Sequence, residues 1–366
     1  MTTLSAATPA ELAEWDERTV EVVGGNVLQS AAWAAHRRST GWETDQLLFD
    51  DGTAVLVLRR PLPGVGGWSA YVPRGPVSSG QGAAEIAERL GTLAAHLSDA
   101  DVAVLATDAE IPADTGYPAR LAALGFHPIE ELQPSRHRVS LPLAGCDEET
   151  IHAGIGKSTR QRIRKAEDDG IVVVRHDGRL APGGVGSGFA APAEPTEIAL
   201  DRFHDLLVET GERRHFQLGP RETALDWWRA ALRAGHLILL EARTPDGTPQ
   251  AGLICYRHGE RLSTVHSADH ADARRDHPGA LHLLRWRAIQ IALREGRAEM
   301  DLGGADVPGA RREPREGDEM WGLYQHKRSF GGVWLELSGA HERVIDANRY
   351  RLGRVTARIR RLTGRR

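Results

Sequence analysis

A chain of 366 residues with 41% hydrophobic side chains is too long for one ordinary domain and can fill two or three cores. Its net charge of -4 excludes a generic polyanion binder, although basic residues cluster locally. Cys146 and Cys255, the only cysteines, exclude a disulfide framework or a zinc set and fit a reducing cytosol.

Met1 to Asp16 is polar and acidic, so no signal peptide is expected; no apolar run reaches the roughly 18 residues of a membrane span, and the reading is cytoplasmic. Pro9 to Val22 reads as a helix capped by Thr8, with Glu11 as the return partner of a capping box. Leu28-Gln29-Ser30 opens a second helix through Trp33, His36 and Arg37, stopped by Gly41. Gln46 to Phe49 and Thr53 to Arg60 flank Asp50-Asp51-Gly52, a hairpin signal. Trp68 to Val72 is a strand ended by Pro73-Arg74-Gly75-Pro76, and Ala83 to Leu97 has helical periodicity. Val102 to Thr107 is a buried strand reaching Asp108, Tyr117 to Leu124 a short helix, and Ser135 to Leu141 a strand. Alternating helices and strands over 1–145 predict one mixed α/β domain.

Lys157 to Lys165 (KSTRQRIRK) holds five basic side chains, Lys157, Arg160, Arg162, Arg164 and Lys165, and no acid. On a helix, Lys157, Arg160 and Arg164 share one side, which suits a phosphate or a nucleic-acid backbone. A solvated face balanced by Glu167, Asp168 and Asp169 is the plainer alternative. Residues 177–195 are rich in Gly, Ala and Pro and read as a flexible loop. Thr196 to Glu212 is an amphipathic helix followed by Arg213 and Arg214, and Arg221 to Ala234 is another helix. Strands follow at His236 to Ala242, Gln250 to Arg257 and Arg261 to His266, then a long helix at Leu281 to Glu295 and a strand at Val333 to Ser338. Residues 150–340 thus repeat the architecture of the first half without a residue-level repeat.

The stretch 296–332 organises the chain. A short strand, Ala298 to Leu302, breaks at Gly303 and Gly304, where bare backbone can approach a ligand. After a polar loop, Lys327 lies among the apolar anchors Leu323, Tyr324 and Phe330. A cation held this way can stabilise developing negative charge, whereas the plainer alternative is a surface lysine beside a hairpin.

The segments LQSAAWAAHRRSTGW (28–42), YVPRGPV (71–77), GKSTRQRIRKAEDDGIVV (156–173), HPGALHLLRWRAIQIALREG (277–296), MDLGG (300–304) and GLYQHKRSFGG (322–332) occur in this order. Together they resemble the FemX/FemAB family of aminoacyl-tRNA-dependent peptidyltransferases, and most closely its FemX-type lipid II glycyltransferases. The resemblance implies two tandem GNAT-like α/β domains with a substrate cleft between them and no helical coiled-coil arm. It places an acceptor domain at 1–148, completed by a C-terminal helix at 341–366, and an aminoacyl-tRNA domain at 149–340. It implies transfer of an amino acid, glycine favoured, from aminoacyl-tRNA to the stem-peptide amine of a peptidoglycan precursor, either lipid II or UDP-MurNAc-pentapeptide. It also implies a monomer.

Residue by residue, Lys327 matches the family lysine that steadies the transition state, and His326 stands where an aromatic is usual. Arg37 matches the basic residue that binds the acceptor's phosphates. Arg74, Arg213, Arg214 and Tyr324 are further substrate-binding candidates, and Asp108 matches an aspartate once attractive as a base. Lys157, Arg160, Arg162, Arg164 and Lys165 are assigned to tRNA.

An aminoacyl ester is already activated, so no metal or other cofactor is expected; the protein must supply positioning and oxyanion stabilisation. The attacking amine must lose a proton, with Asp108, His326 and the tRNA's own ribose hydroxyl or phosphate as candidate acceptors; the reading favours substrate assistance. The tail Arg351–Arg366 carries seven arginines and no acid, and can pack on the body, touch tRNA or lie on an anionic membrane. Competing readings are a coenzyme A-dependent N-acyltransferase, a tRNA-dependent ligase of natural-product assembly and a non-enzymatic binding module. The turn before the long helix, Arg274 to Ala280, has one glycine and a proline, a poor cradle for a pyrophosphate.

Overall fold

A computed structural model of the chain describes residues 3–180, 184–214 and 216–363. In chain order the elements are β1 (Leu4–Ala6), α1 (Pro9–Ala13), α2 (Trp15–Thr19), α3 (Ala31–Ser39), β2 (Glu43–Phe49), β3 (Ala54–Pro61), β4 (Trp68–Val72), α4 (Ala83–Ser98), β5 (Val102–Thr107), α5 (Tyr117–Ala123), β6 (Phe126–Pro128) and β7 (Arg138–Pro142). There follow α6 (Glu148–Gly154), α7 (Lys157–Asp168), β8 (Val172–Asp177), α8 (Thr196–Arg214), α9 (Arg221–Arg233), β9 (Leu237–Arg243), β10 (Pro249–His258), β11 (Arg261–Asp269), α10 (Ala271–Asp276), α11 (Ala280–Arg294), β12 (Glu299–Asp301), α12 (Trp321–Arg328), β13 (Val333–Leu335), β14 (His341–Val344) and α13 (Ala347–Thr363).

The chain divides into two compact units, one taking in residues up to His137 and from Glu336, the other Arg138–Leu335. Each has one seven-stranded sheet, ordered β1-β2-β3-β4-β5-β14-β6 in the first and β13-β7-β12-β11-β10-β9-β8 in the second. The two orders share one plan. Four antiparallel strands lead to a single parallel pair, β4 with β5 and β11 with β12, and two antiparallel strands complete the sheet. The α/β duplication expected from the element pattern is therefore present at the level of topology. None of the helices forms a coiled-coil arm, and among the described residues no helix is long and apolar enough to cross a membrane.

The core of the first unit forms where α4 lays Ile86, Leu90, Leu93 and Leu97, spaced along one helical face, onto Val55, Val57, Val72 and Leu105. Burying each such side chain stabilises by roughly 1.5–3 kcal/mol. In the second unit α11 is apolar nearly all round because it lies between the sheet and α7. Leu283, Leu284, Ala288 and Ile291 join a core with Ile238, Leu240, Leu253 and Ile163.

Local readings diverge at four places. The helix expected over Pro9 to Val22 keeps its Thr8–Glu11 capping box but breaks at Glu14 (φ -101°, ψ 15°). The break lets Trp15 bury and its indole N–H donate to the Gln29 carbonyl at 2.8 Å. The helix expected from Leu28 starts at Ala31, after a 3-10 turn at Val27–Gln29, because Ser30 accepts the Trp33 N–H as its cap. The strand read near Ser135 to Leu141 is β7, and it lies in the second unit because its partners are β12 and β13. β6 and β14, three and four residues long, carry too short a pattern to read; β14 returns the chain to the first sheet. Residues 181–183 of the Gly-rich loop, His215, and 364–366 of the arginine tail lie outside the described residues.

Candidate active site

In the second sheet the parallel pair is short. Arg261, Leu262 and Ser263 of β11 face Glu299, Met300 and Asp301 of β12, and there the pairing stops. Beyond it β11 runs on to Asp269, while Leu302 and Gly303 keep their hydrogen bonds with Val139 of β7. A fork opens at the carboxyl end of the pair, where open α/β sheets characteristically hold ligands. Asp301 closes its floor: one carboxylate oxygen accepts the Gly303 N–H at 2.7 Å and the other accepts the Ser263 hydroxyl at 3.0 Å.

Lys327 reaches this fork from α12. Tyr324 and Lys327, three residues apart, face inward and are 2% and 6% exposed, and Phe330 just beyond the helix is fully buried. The Lys327 amine donates to the Gly304 carbonyl at 2.7 Å. Gly303, at φ +84°, gives it room, since a Cβ there would stand 2.9 Å from Nζ. Burial pushes the amine down to about 7; Arg285 adds to that, and Asp301 and Asp306 pull the other way.

Arg285 of α11 is itself buried, and its Nη1 donates to Thr264 Oγ1 at 3.1 Å on β11 and to the Leu302 carbonyl at 3.3 Å after β12. One guanidinium therefore spans the fork. His282 and His326 meet edge to face at 4.5 Å, and both pack against Phe330. Burial, reinforced by neighbouring cations, lowers them to about 4 and about 2, so both rings are neutral at pH 7.

The basic helix α7 is tied to α12: the Gly156 N–H donates to the Ser329 carbonyl at 2.8 Å and the Thr159 hydroxyl to Ser329 Oγ at 2.8 Å. The structure thus brings together two motifs more than 150 residues apart. Not all five cations are free to bind a ligand. Arg160 donates to the carbonyls of Ala153 and Ile155 at the end of α6, and Lys165 pairs with Asp169 at 2.8 Å. Lys157, Arg162 and Arg164 are exposed.

The first sheet offers the equivalent position. Asp108 directly follows β5, the parallel partner of β4, and is 1% exposed. It accepts the Arg74 backbone N–H at 2.6 Å and the Tyr71 hydroxyl at 2.9 Å, with the Arg74 side chain 3.6 Å away. Burial raises its pKa despite Arg74. Arg74 sits at φ +50° and also donates to the Ser135 carbonyl at 3.0 Å. Arg37 has different company: its guanidinium lies 4.8 Å from the Trp42 ring and 5.3 Å from Trp33, with no carboxylate partner among the described residues. The Arg60 guanidinium lies 4.7 Å from the same Trp42 ring, and burial and Arg60 lower the Arg37 pKa.

Two further sequence candidates, Arg213 and Tyr324, have structural duties, and a third, Arg214, has none among the described residues. Arg213 ties α8 to β11 through Asp269 Oδ1 at 2.9 Å and pairs with Glu209 at 3.2 Å. Tyr324 packs against Trp321 and Trp334, and its hydroxyl meets Glu313 and Arg328. Arg214 is exposed. Sequence reasoning missed Arg285, Thr264, Asp306 and Tyr71. Only Arg285 left a signal, a charge at a buried phase of an otherwise apolar helix.

Residues 155–321 match the model of the acetyltransferase (GNAT) domain. No curated protein matches the chain by sequence. Among solved structures, FemX superposes with a TM-score of 0.76 at 18% identity, covering 96% of this chain and 99% of that one. A conserved protein of unknown function from Bacteroides thetaiotaomicron gives 0.55 at 14% identity, covering 93% and 99%. L-PGS from Bacillus licheniformis gives 0.53 at 14% identity, covering 98% and 97%. These likenesses give the chain the fold of tandem GNAT-type acyltransferases.

Proposed function

From a chain that is FemX-like in fold along its length, we propose an aminoacyltransferase that moves an amino acid, glycine favoured, from aminoacyl-tRNA to the stem-peptide amine of a peptidoglycan precursor. The observation that carries this reading is the Lys327 amine, buried in the fork and held on the Gly304 carbonyl. An aminoacyl ester needs little beyond alignment with the incoming amine and a donor for the oxyanion of the tetrahedral intermediate. Lys327 is that donor in this reading.

In the first unit, Arg37 on its two tryptophans has the setting of an unpaired cation that receives the acceptor's phosphates. On α7, Lys157, Arg162 and Arg164 are the side chains best disposed to meet the tRNA backbone, with Arg160 and Lys165 in secondary roles because intramolecular bonds engage them. Asp108 organises Tyr71 and Arg74 and takes no proton in the reaction. The protein acts as a monomer on the cytoplasmic side, where a lipid-linked acceptor would bring it to the membrane surface.

The helix-entry turn at Gly279 favours this donor over an acyl-coenzyme A. A Cβ on Gly279 would stand 2.0 Å from the Arg162 carbonyl, so this turn's one glycine serves the close packing of α11 on α7. The test mixes purified protein with tRNA, a synthetase, labelled glycine and lipid II, with and without RNase. Gain of one residue on the stem-peptide amine, lost on RNase treatment, is the expected result. Acyl transfer from coenzyme A, or tRNA-dependent transfer only to a non-cell-wall peptide, would replace the proposal with that alternative.

A further inference from the structure

Of the 46 basic residues in this chain only three are lysines: Lys157, Lys165 and Lys327. Arginine is permanently charged, whereas a lysine amine in a buried site can give up its proton and take it back. A composition so biased toward arginine makes the amine at 327 informative, because an amine can carry out chemistry that a guanidinium lacks.

The groups around it say what that chemistry is. Lys327 has one hydrogen-bond partner, the uncharged Gly304 carbonyl, and no carboxylate within ion-pair distance among the described residues. From α11 it faces Arg285, from β12 Asp301, from the following loop Asp306, and from its own helix His326. Both acids have other commitments. Asp301 is held by Ser263 and the Gly303 N–H, and Asp306 pairs with Arg311 at 3.4 Å. Arg285 is 4% exposed, has no ion-pair partner among the described residues, and is fixed on Thr264 Oγ1 and the Leu302 carbonyl. A buried guanidinium without a counterion repels a second cation beside it.

We propose that Arg285 is a positioning residue for Lys327: its fixed guanidinium carries the positive charge of the fork and leaves the Lys327 amine free to accept a proton. The inference rests on the aminoacyl-transfer reading and gives that site its proton path. The neutral acceptor nitrogen attacks the ester carbonyl and the N–C bond forms. The proton lost from that nitrogen passes to Lys327 Nζ, and the ammonium so formed faces the oxyanion. The C–O bond to the ribose then breaks, and the same proton leaves Nζ for the departing oxygen. One residue thus serves as base, electrostatic stabiliser and acid in turn. The lowering of Lys327 to about 7 by burial and Arg285 agrees with that cycle.

With three lysines, protein made with ε-13C-lysine gives three titrating signals, and Lys327→Met identifies the one that matters. Its midpoint is expected near 7 in the unsubstituted protein, against ~10.4 for a free lysine side chain. Arg285→Gln is expected to raise it by about one unit or more, and Arg285→Lys to keep it low. An ordinary midpoint in the unsubstituted protein would overturn the proposal even if the variants fail to fold. A midpoint that Arg285→Gln leaves in place would also overturn it. The titration uses no substrate, so a low midpoint in a protein without tRNA-dependent transfer would reject the donor and leave the Arg285–Lys327 pair standing.

Discussion

Gly303 and Lys327 fit so closely that a single methyl group on Gly303 would meet both the Lys327 amine and the Thr264 carbonyl at 2.9 Å. The left-handed backbone at Gly303 is what turns the chain away from β11 and makes space for the amine. Sequence, backbone and site are joined at this one position.

Gly303→Ala therefore has two separable effects. The left-handed conformation costs an alanine about 1–2 kcal/mol, which urea unfolding should register. The added Cβ also displaces Nζ from the Gly304 carbonyl, so the transfer rate should fall by more than the stability loss explains. A variant that unfolds earlier yet transfers at full rate would show that the Gly303–Lys327 fit is packing alone.

Replacing Lys327 and Asp108 should give opposite results. Lys327→Met removes the amine and keeps its length. Loss of one oxyanion donor lowers kcat by about 100- to 1000-fold. Stability should hold or rise, because an apolar side chain replaces a buried amine that has no counterion. Asp108→Asn still offers an oxygen to the Arg74 N–H and an amide to the Tyr71 oxygen, so much of the transfer should survive. Kinetics and thermal melts of the two variants side by side check both halves; equal loss in both would reinstate Asp108 as a base.

The sequence was most legible where period and punctuation agreed. Val102–Thr107 reads directly as a strand, and Thr8 with Glu11 as a capping box, because these features depend on neighbours in the chain. Lys327 was legible for a related reason: apolar residues three before and three after it fix which way its helix faces. What stayed hidden depends on distant partners. Thr264 is one more strand residue until Arg285 bonds to it from 21 positions away. Arg213 looks like a free cation in the chain, and only the fold supplies Asp269 as its partner. Arg160, likewise, joins a basic face by spacing yet bonds back to α6.

Acid should weaken the second unit through Glu241. This carboxylate is 3% exposed and accepts from Arg202 at 2.6 Å and Arg243 at 2.6 Å, with His176 at 2.9 Å. These partners hold its pKa at about 2 despite burial. A carboxylate whose folded pKa lies below its unfolded value of about 4.3 stabilises fully above that value. The contribution is lost as pH falls toward 2. Urea midpoints followed from pH 6 to pH 2.5 should decline across this window, and Glu241→Gln should start lower and decline less steeply. Parallel curves for the two proteins would assign the acid sensitivity to other groups.

Arg37 and Arg213 were both read in the sequence as substrate-binding cations, and their surroundings now separate them. Arg213 is bonded to Asp269, Thr210 and Glu209, so Arg213→Ala breaks several charge-assisted contacts between α8 and β11. Such losses cost about 1–3 kcal/mol and should appear as a lower unfolding midpoint. Arg37 is held by the faces of Trp33 and Trp42, contacts worth about 0.5–2 kcal/mol, and its charge has no protein counterion among the described residues. Arg37→Ala should therefore cost no more than about 2 kcal/mol of stability. Its effect should fall on acceptor binding, weakened tenfold or more in low salt and by less at high salt, since screening already reduces a phosphate contact there. Calorimetric titration with the UDP-linked acceptor at two salt concentrations measures this directly. If binding weakens in Arg213→Ala and not in Arg37→Ala, the phosphate site belongs to the second unit, and the tryptophan-stacked arginine is a packing device.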